Sequence, residues 1–384
     1  MKFTKMSLVA ALLVGSSAFA IDNIKVSGDA KLFYGTDDSG DGLFYKDTAT
    51  GQASLGLGIT ADLNNGITSG AHLTALSTLG LEGQLVDGVW DGTNGTADSY
   101  WFDEAWLATT QGKTTVKVGR MQLDTPLVFS ETWSVSTNTF EAALVINQDI
   151  KDTTFVGAYV GASNGGDGSG SVIAPMNTNG TTNFSQFYQG AYTIGAVNNS
   201  FEPVTAQAWY YKATHVGNAY WLQADLAMNG ILAGAQYTAI DLVGSKASDA
   251  VSVMVGYEIK DTVVAKVSYS KVGEDANAGF NLSGSGMSKL YTESWFTFIA
   301  AQQDTIAYNL TVEAPVADIA DLGLYYTYAN QEKTTGASDL SELTLTASKS
   351  FGPLDTSIAY VNTVAGNKDN DAVNTIQAFL TYNY

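Results

Sequence analysis

Residue types that carry out acid–base, nucleophilic or metal chemistry are sparse in this chain and poorly spaced for it. There is no cysteine, which removes thiol catalysis, zinc–thiolate sites and any disulfide framework. The two histidines, His72 and His215, stand far apart in sequence. If Ala71 and Leu73 point to one side of a strand, His72 points to the other with Thr68, Gly70 and Thr74, the wet side. His215 falls in a short connection, Thr214-His215-Val216. Neither has a neighbouring acid and serine in the pattern a hydrolytic relay requires, so both read as solvated polar groups. Asp37-Asp38-Ser39-Gly40-Asp41-Gly42 places Asp, Ser, Asp and Gly as positions 1, 3, 5 and 6 of a calcium loop do. Its twelfth position is Thr48 instead of a bidentate glutamate, so the segment reads as a solvated acidic turn. No cofactor is expected, calcium being the one ion such a turn could hold.

The charged residues are spaced for contact with water along strands. Ile24, Val26, Gly28, Ala30, Leu32 and Tyr34 alternate with Lys25, Ser27, Asp29, Lys31 and Phe33, which gives one strand an apolar and a polar face. Charges at Lys25, Asp29 and Lys31 forbid burial of both faces. Similar runs recur, among them Phe140-Ala142-Leu144-Ile146, Val251-Val253-Val255-Tyr257-Ile259 and Leu322-Leu324-Tyr326-Tyr328. Their water-facing charges are of both signs: Lys25, Asp29, Lys31, Glu141, Asp225, Glu258, Lys266 and Glu342. Gly56-Leu57-Gly58 lies inside such a run and is no phosphate-binding loop.

Loop lengths alternate along the series. Short turns at Leu63–Gly66, Gln111–Lys113, Asp149–Asp152, Asn229–Gly230, Lys260–Asp261 and Phe351–Pro353 separate longer segments near 36–50, 78–98, 122–138, 162–182, 240–249, 272–303, 331–338 and 363–372. Short turns at one end and long loops at the other define an up-and-down transmembrane β-barrel, short turns periplasmic and long loops extracellular. With both termini at the turn end the strand number must be even. Counting a strand at 290–300 gives nineteen; treating 272–303 as one long loop leaves eighteen, with sixteen the alternative. An antiparallel all-β barrel of that size encloses an aqueous channel. Its last strand, Ile376-Ala378-Leu380-Tyr382-Tyr384, is expected to close on the first.

The beginning of the chain assigns a compartment. Lys2 and Lys5, the apolar run Leu8–Val14 and Ala18-Phe19-Ala20 form a secretory signal peptide over residues 1–20, leaving 21–384 for the barrel. No later stretch is apolar for the roughly 20 residues that a spanning helix needs. Charged residues are only 15% of the chain although it is exported, which suits a wall with lipid on one side. The formal charge is −20, and removing the leader takes two lysines from it, so a nucleic-acid partner is not expected and cations are favoured in the channel.

Val116-Lys117-Val118-Gly119-Arg120-Met121-Gln122-Leu123-Asp124-Thr125-Pro126 resembles the strand end and following loop of OprD-type porins and of the major outer-membrane porins of epsilonproteobacteria. The resemblance implies an 18-stranded barrel in the outer membrane of a Gram-negative bacterium. It also implies a homotrimer that passes ions and small hydrophilic solutes. The third outside loop, about 122–138, would then fold into the lumen as the constriction, carrying Asp124, Glu131 and Trp133 with Arg120 at its base. Strict alternation from Val116 and Val118 would turn Arg120 outward, so a bulge at Gly119 or a position at the rim is needed. Arg120 is the only arginine, so no arginine ladder of the OprD substrate channels is visible. The expected function is a porin with mild cation preference and no enzymatic activity. The rivals are an OprD-type substrate-selective channel, a barrel enzyme and a surface adhesin.

Overall fold

The computed structural model describes residues 22–77, 79, 99–133, 135–165, 184–284, 286–317, 319–331, 339–366 and 372–384. The signal-peptide assignment and most of the loops at 78–98 and 162–182 lie outside these residues. Eighteen strands follow one another with no α-helix among the described residues. The first six are β1 (Asp22–Asp37), β2 (Ala49–Leu63), β3 (Ile67–Ser77), β4 (Ser99–Gln111), β5 (Thr114–Met121) and β6 (Phe140–Asn147). Next come β7 (Thr153–Ser163), β8 (Ser185–Phe201), β9 (Val204–Ala213), β10 (Gly217–Met228), β11 (Ile231–Leu242) and β12 (Ser248–Ile259). The last are β13 (Val263–Val272), β14 (Thr305–Val316), β15 (Ala320–Gln331), β16 (Leu340–Phe351), β17 (Leu354–Ala365) and β18 (Val373–Asn383).

Every strand pairs antiparallel with its sequence neighbours, and β1 also pairs with β18, so the sheet has no free edge. Ala30 lies opposite Tyr382, and Gly28 and Tyr384 exchange two backbone hydrogen bonds of 2.9 Å each. The strand number is therefore eighteen, not sixteen, and 273–304 is a loop, as the parity of the turns demands.

The alternation of side chains explains the wall. Along β12, Val251, Val253, Val255, Tyr257 and Ile259 are each at least 43% exposed on the outer face, while Ser252 on the inner face is fully buried. Apolar side chains outside and polar ones inside invert the arrangement of a water-soluble protein. Tyrosines cluster on the outer face near the loop end in the pairs Tyr159–Tyr192, Tyr210–Tyr220 and Tyr269–Tyr308, with ring centroids 5.0–5.3 Å apart. Tyr382 and Tyr384 stack at the turn end. Two aromatic levels bounding an apolar band are what a bilayer selects.

β6 departs from the expected orientation. Phe140 and Ala142 point inward and are buried in a core with Met121, Leu123, Leu127 and Val160, and Leu144 packs against it. Glu141, expected in the lumen, therefore points outward with Ala143 and Val145. Alternation identifies two faces but not their sides: here the apolar face is satisfied by a loop inside the barrel and not by surroundings outside it.

Candidate functional site

Two long loops at the same end of the barrel reach the inner wall and each other. The first, residues 122–139, joins β5 to β6. Thr125 and Val128 close a tight turn, with Thr125 Oγ1 donating to the Val128 carbonyl at 2.8 Å. Leu127 N donates to Tyr211 Oη of β9, and further along Val135 O accepts from Ser54 Oγ of β2 at 3.0 Å. The loop is thus tied to two strands well separated around the barrel. The second loop, 273–304, joins β13 to β14. It is held by Gln236 of β11 donating to the Lys289 carbonyl, by Tyr291 donating to Asp225 of β10, and by Glu342 of β16. Backbone inside a barrel must satisfy its hydrogen bonds with the wall or with water, and these contacts do so.

The loops interlock through Asn281. Its Nδ2 donates to Phe129 O (2.9 Å) and to Glu131 Oε1 (2.8 Å), and its Oδ1 accepts from Phe129 N (3.2 Å). Leu282 N donates to Leu127 O, and Asn138 Nδ2 donates to Ser283 O and Phe129 O. Gly284 lets the second loop pass close to this carboxylate: a Cβ there would lie 1.7 Å from Glu131 Oε1 and would displace it. An exposed ion pair, Lys289 with Asp124, spans the two loops, and the same ammonium sits 4.7 Å above the Phe129 ring.

The residues named from sequence are thereby sorted. Asp124 is the exposed carboxylate of the first loop. Glu131 is 1% exposed and so is not a pore-lining charge; it holds the loop through Asn281 and through Trp133 Nε1, which donates to it at 2.8 Å. Trp133 is half-buried, its ring 6.1 Å from that of Phe298 in the second loop. Arg120 is not at the base of a constriction. The β4–β5 register runs through Gly119 without a shift and sets Arg120 opposite Ala105 on the outer face. There its Nε donates to Glu141 (2.9 Å), Nη1 donates to Phe102 O, and the guanidinium lies 3.9 Å from the Phe184 ring. Arg120 and Glu141 line an outward recess with Phe102, Ala105, Ala143 and Tyr159. Outward charges are tolerated because they neutralise each other near the end of the short strands β5 and β6.

The inner wall carries charges as well. Lys31 pairs with Asp29 at 3.4 Å, and Lys25 shares their face of β1. Glu313 accepts from Tyr325 at 2.8 Å. Glu342 is inward but not in contact with water: it is 2% exposed and accepts from the backbone N–H of Phe296 and of Thr297. Sequence reasoning missed a cluster around His72. Its Nδ1 lies 2.7 Å from Asp103 and its Nε2 3.5 Å from Asp29, and Thr74 Oγ1 donates to Asp103 at 2.9 Å. Asp103 is the extra residue of a bulge on β4, because His72 pairs with Glu104 and Leu73 with Phe102. Alternation alone gives no sign of such a bulge. At the acidic turn, Asp37 accepts from Ser39, and Asp38 accepts from Asn374 N and Nδ2 at 2.7 and 2.6 Å. Those bonds hold the Asp38 carboxyl below the usual carboxylate range.

No family model and no curated protein matches the chain. Solved structures do. It is similar to OccAB1 of Acinetobacter baumannii at a TM-score of 0.75 and 12% identity, over 94% of this chain and 97% of that one. OccAB4 of the same organism gives 0.74 and 12%, over 95% and 99%. The outer membrane protein OpdK of Pseudomonas aeruginosa, solved with vanillate, gives 0.71 and 12%, over 94% and 99%. Likeness at this identity defines the class of fold, a closed 18-stranded antiparallel barrel like those of the Occ and OprD proteins. It does not carry residues across.

Proposed function

We propose that the protein is an outer-membrane porin, a water-filled channel through which ions and small hydrophilic solutes diffuse with a mild preference for cations. The observation that carries this reading is the inverted barrel, apolar outside and polar inside, with two interlocked loops spanning its lumen. Loops 122–139 and 273–304 are then a joint constriction, and the exposed pair Asp124–Lys289 its charged rim. The surplus of acidic residues raises the local concentration of cations at the mouth, while screening confines each charge to roughly 8 Å at physiological salt. Selectivity is therefore modest. Uptake selective for carboxylates, suggested by the vanillate in OpdK, has less support here. The single arginine points outward, and Lys31 is neutralised by Asp29. Kinship with the epsilonproteobacterial porins rests on Val116–Pro126, and the homotrimer on the same resemblance.

Planar-bilayer recordings test the reading. Discrete conductance steps are expected, closing in three equal levels for a trimer, with a reversal potential in a salt gradient displaced toward the cation value. A silent bilayer, or a reversal potential on the anion side, would overturn it.

A further inference from the structure

The geometry of the His72 cluster on the inner wall specifies a charge state. Both ring nitrogens face carboxylate oxygens, Asp103 Oδ1 at 2.7 Å and Asp29 Oδ1 at 3.5 Å. A neutral imidazole has one donor and one acceptor, so it satisfies only one carboxylate; the imidazolium donates to both. Asp103 also accepts from Thr74 Oγ1 and from Glu104 N at 3.0 Å, so this carboxylate is held from three directions. Asp29 is shared between His72 and Lys31. β2 contributes no charge to the group. Gly56 packs beneath it, where a Cβ would lie 2.4 Å from Asp29 and 2.7 Å from His72 Nε2. The next inward residue toward the loops on β2 is Ser54, which binds the Val135 carbonyl of the first loop. The cluster thus lies one inward row below the place where that loop meets the wall, and the His72 side chain remains 25% exposed.

We infer that His72 is a selectivity-determining residue of the channel: as an imidazolium it cancels one of two carboxylates on the β1–β4 wall just beneath the loops, and so limits the cation preference that the acidic chain would otherwise have. With Lys31 and His72 both positive, the patch Lys31–Asp29–His72–Asp103 is balanced; without the histidine it carries one net negative charge next to the point where the first loop meets the wall. This inference rests on the porin reading above.

The test is the reversal potential of single channels in a salt gradient for a set of charge variants, each confirmed to be strand-rich and membrane-inserted. His72→Gln is expected to raise the cation-to-anion permeability ratio by about twofold or more. His72→Lys, which keeps the charge and loses the ring, should stay near the parent. Asp103→Asn should lower the ratio, and His72→Gln combined with Asp103→Asn should return it to the parent value, which a structural role for the ring would not produce. An unchanged ratio in His72→Gln, or a double variant that fails to return, overturns the inference while leaving the channel reading intact. If His72→Gln fails to assemble, Asp103→Asn and His72→Lys decide the matter by the same criterion. Absence of conductance in the parent protein overturns the channel reading and this inference with it.

Discussion

Asn281 bears more on the lumen than any of the charged residues that draw attention in the sequence. Replacing it with alanine removes one donor from Phe129 O, which keeps Asn138, and one from Glu131 Oε1. A lost hydrogen bond to a charged group costs about 1.5–3 kcal/mol. Asn281→Ala should therefore loosen both loops together, read as faster amide exchange across 122–139 and noisier single-channel current, with the barrel still inserted. Gly284→Ala should act in the same direction, because the methyl group displaces Glu131. None of this is legible from the sequence. Phe129 and Asn281 are separated by 152 positions, and a polar residue in a loop ordinarily reads as solvated. Asp124 and Glu131 look alike as sequence, yet one is an exposed carboxylate and the other a buried hub. The difference is set by what the second loop brings to each, which local pattern cannot show.

The strands were the most readable elements because a period of two is strong over ten or more residues. β12 appears in structure with the outward face that its alternation predicts, and it pairs with β13 across the short turn at Lys260–Asp261. β4 and β6 resisted for physical reasons. A bulge at Asp103 shifts the phase of β4, and an apolar inward face at Phe140 and Ala142 reverses the usual sides of β6. The closing strand carries its own prediction. Tyr384 supplies a pair of 2.9 Å backbone hydrogen bonds to Gly28, and its hydroxyl donates to Gly56 O at 3.1 Å. Removing Asn383-Tyr384 should lower the yield of membrane-assembled barrel, seen by fractionation, without altering the selectivity of channels that do assemble. The second loop should respond to pH. Glu293 accepts from Ser288 N at 2.6 Å, yet burial dominates and pushes its carboxyl up to about 7, against 4.5 for a free glutamate. The docked loop binds the extra proton, so docking is favoured in acid and weakens as pH rises from about 4.5 to about 7. Amide exchange over 288–300 should quicken through that window, and Glu293→Gln should flatten the dependence.

At the scale of the whole molecule, the alternating loop lengths and the even count of strands are what the sequence showed most directly. They follow from closure: a barrel with both termini at one end has no other parity. The sign of selectivity is also a whole-molecule property, since the acidic surplus of the chain is spread over loops and wall. Raising the salt on both sides should therefore erode the cation preference steadily as the Debye length shrinks. The inward apolar patch of Met121, Phe140, Ala142, Val160 and Trp209, covered by Leu123, Leu127 and Val128, has a consequence for engineering. Cutting out residues 124–137 would not yield a clean, wide tube. It would strip the lid from a small hydrophobic core and leave greasy residues facing the aqueous bore. The shortened protein should then recruit apolar solutes or detergent into its own interior, and its conductance should be erratic, not enlarged. In this barrel the plug doubles as a packing partner, so widening the bore calls for polar substitutions on the wall alongside any shortening of the loop.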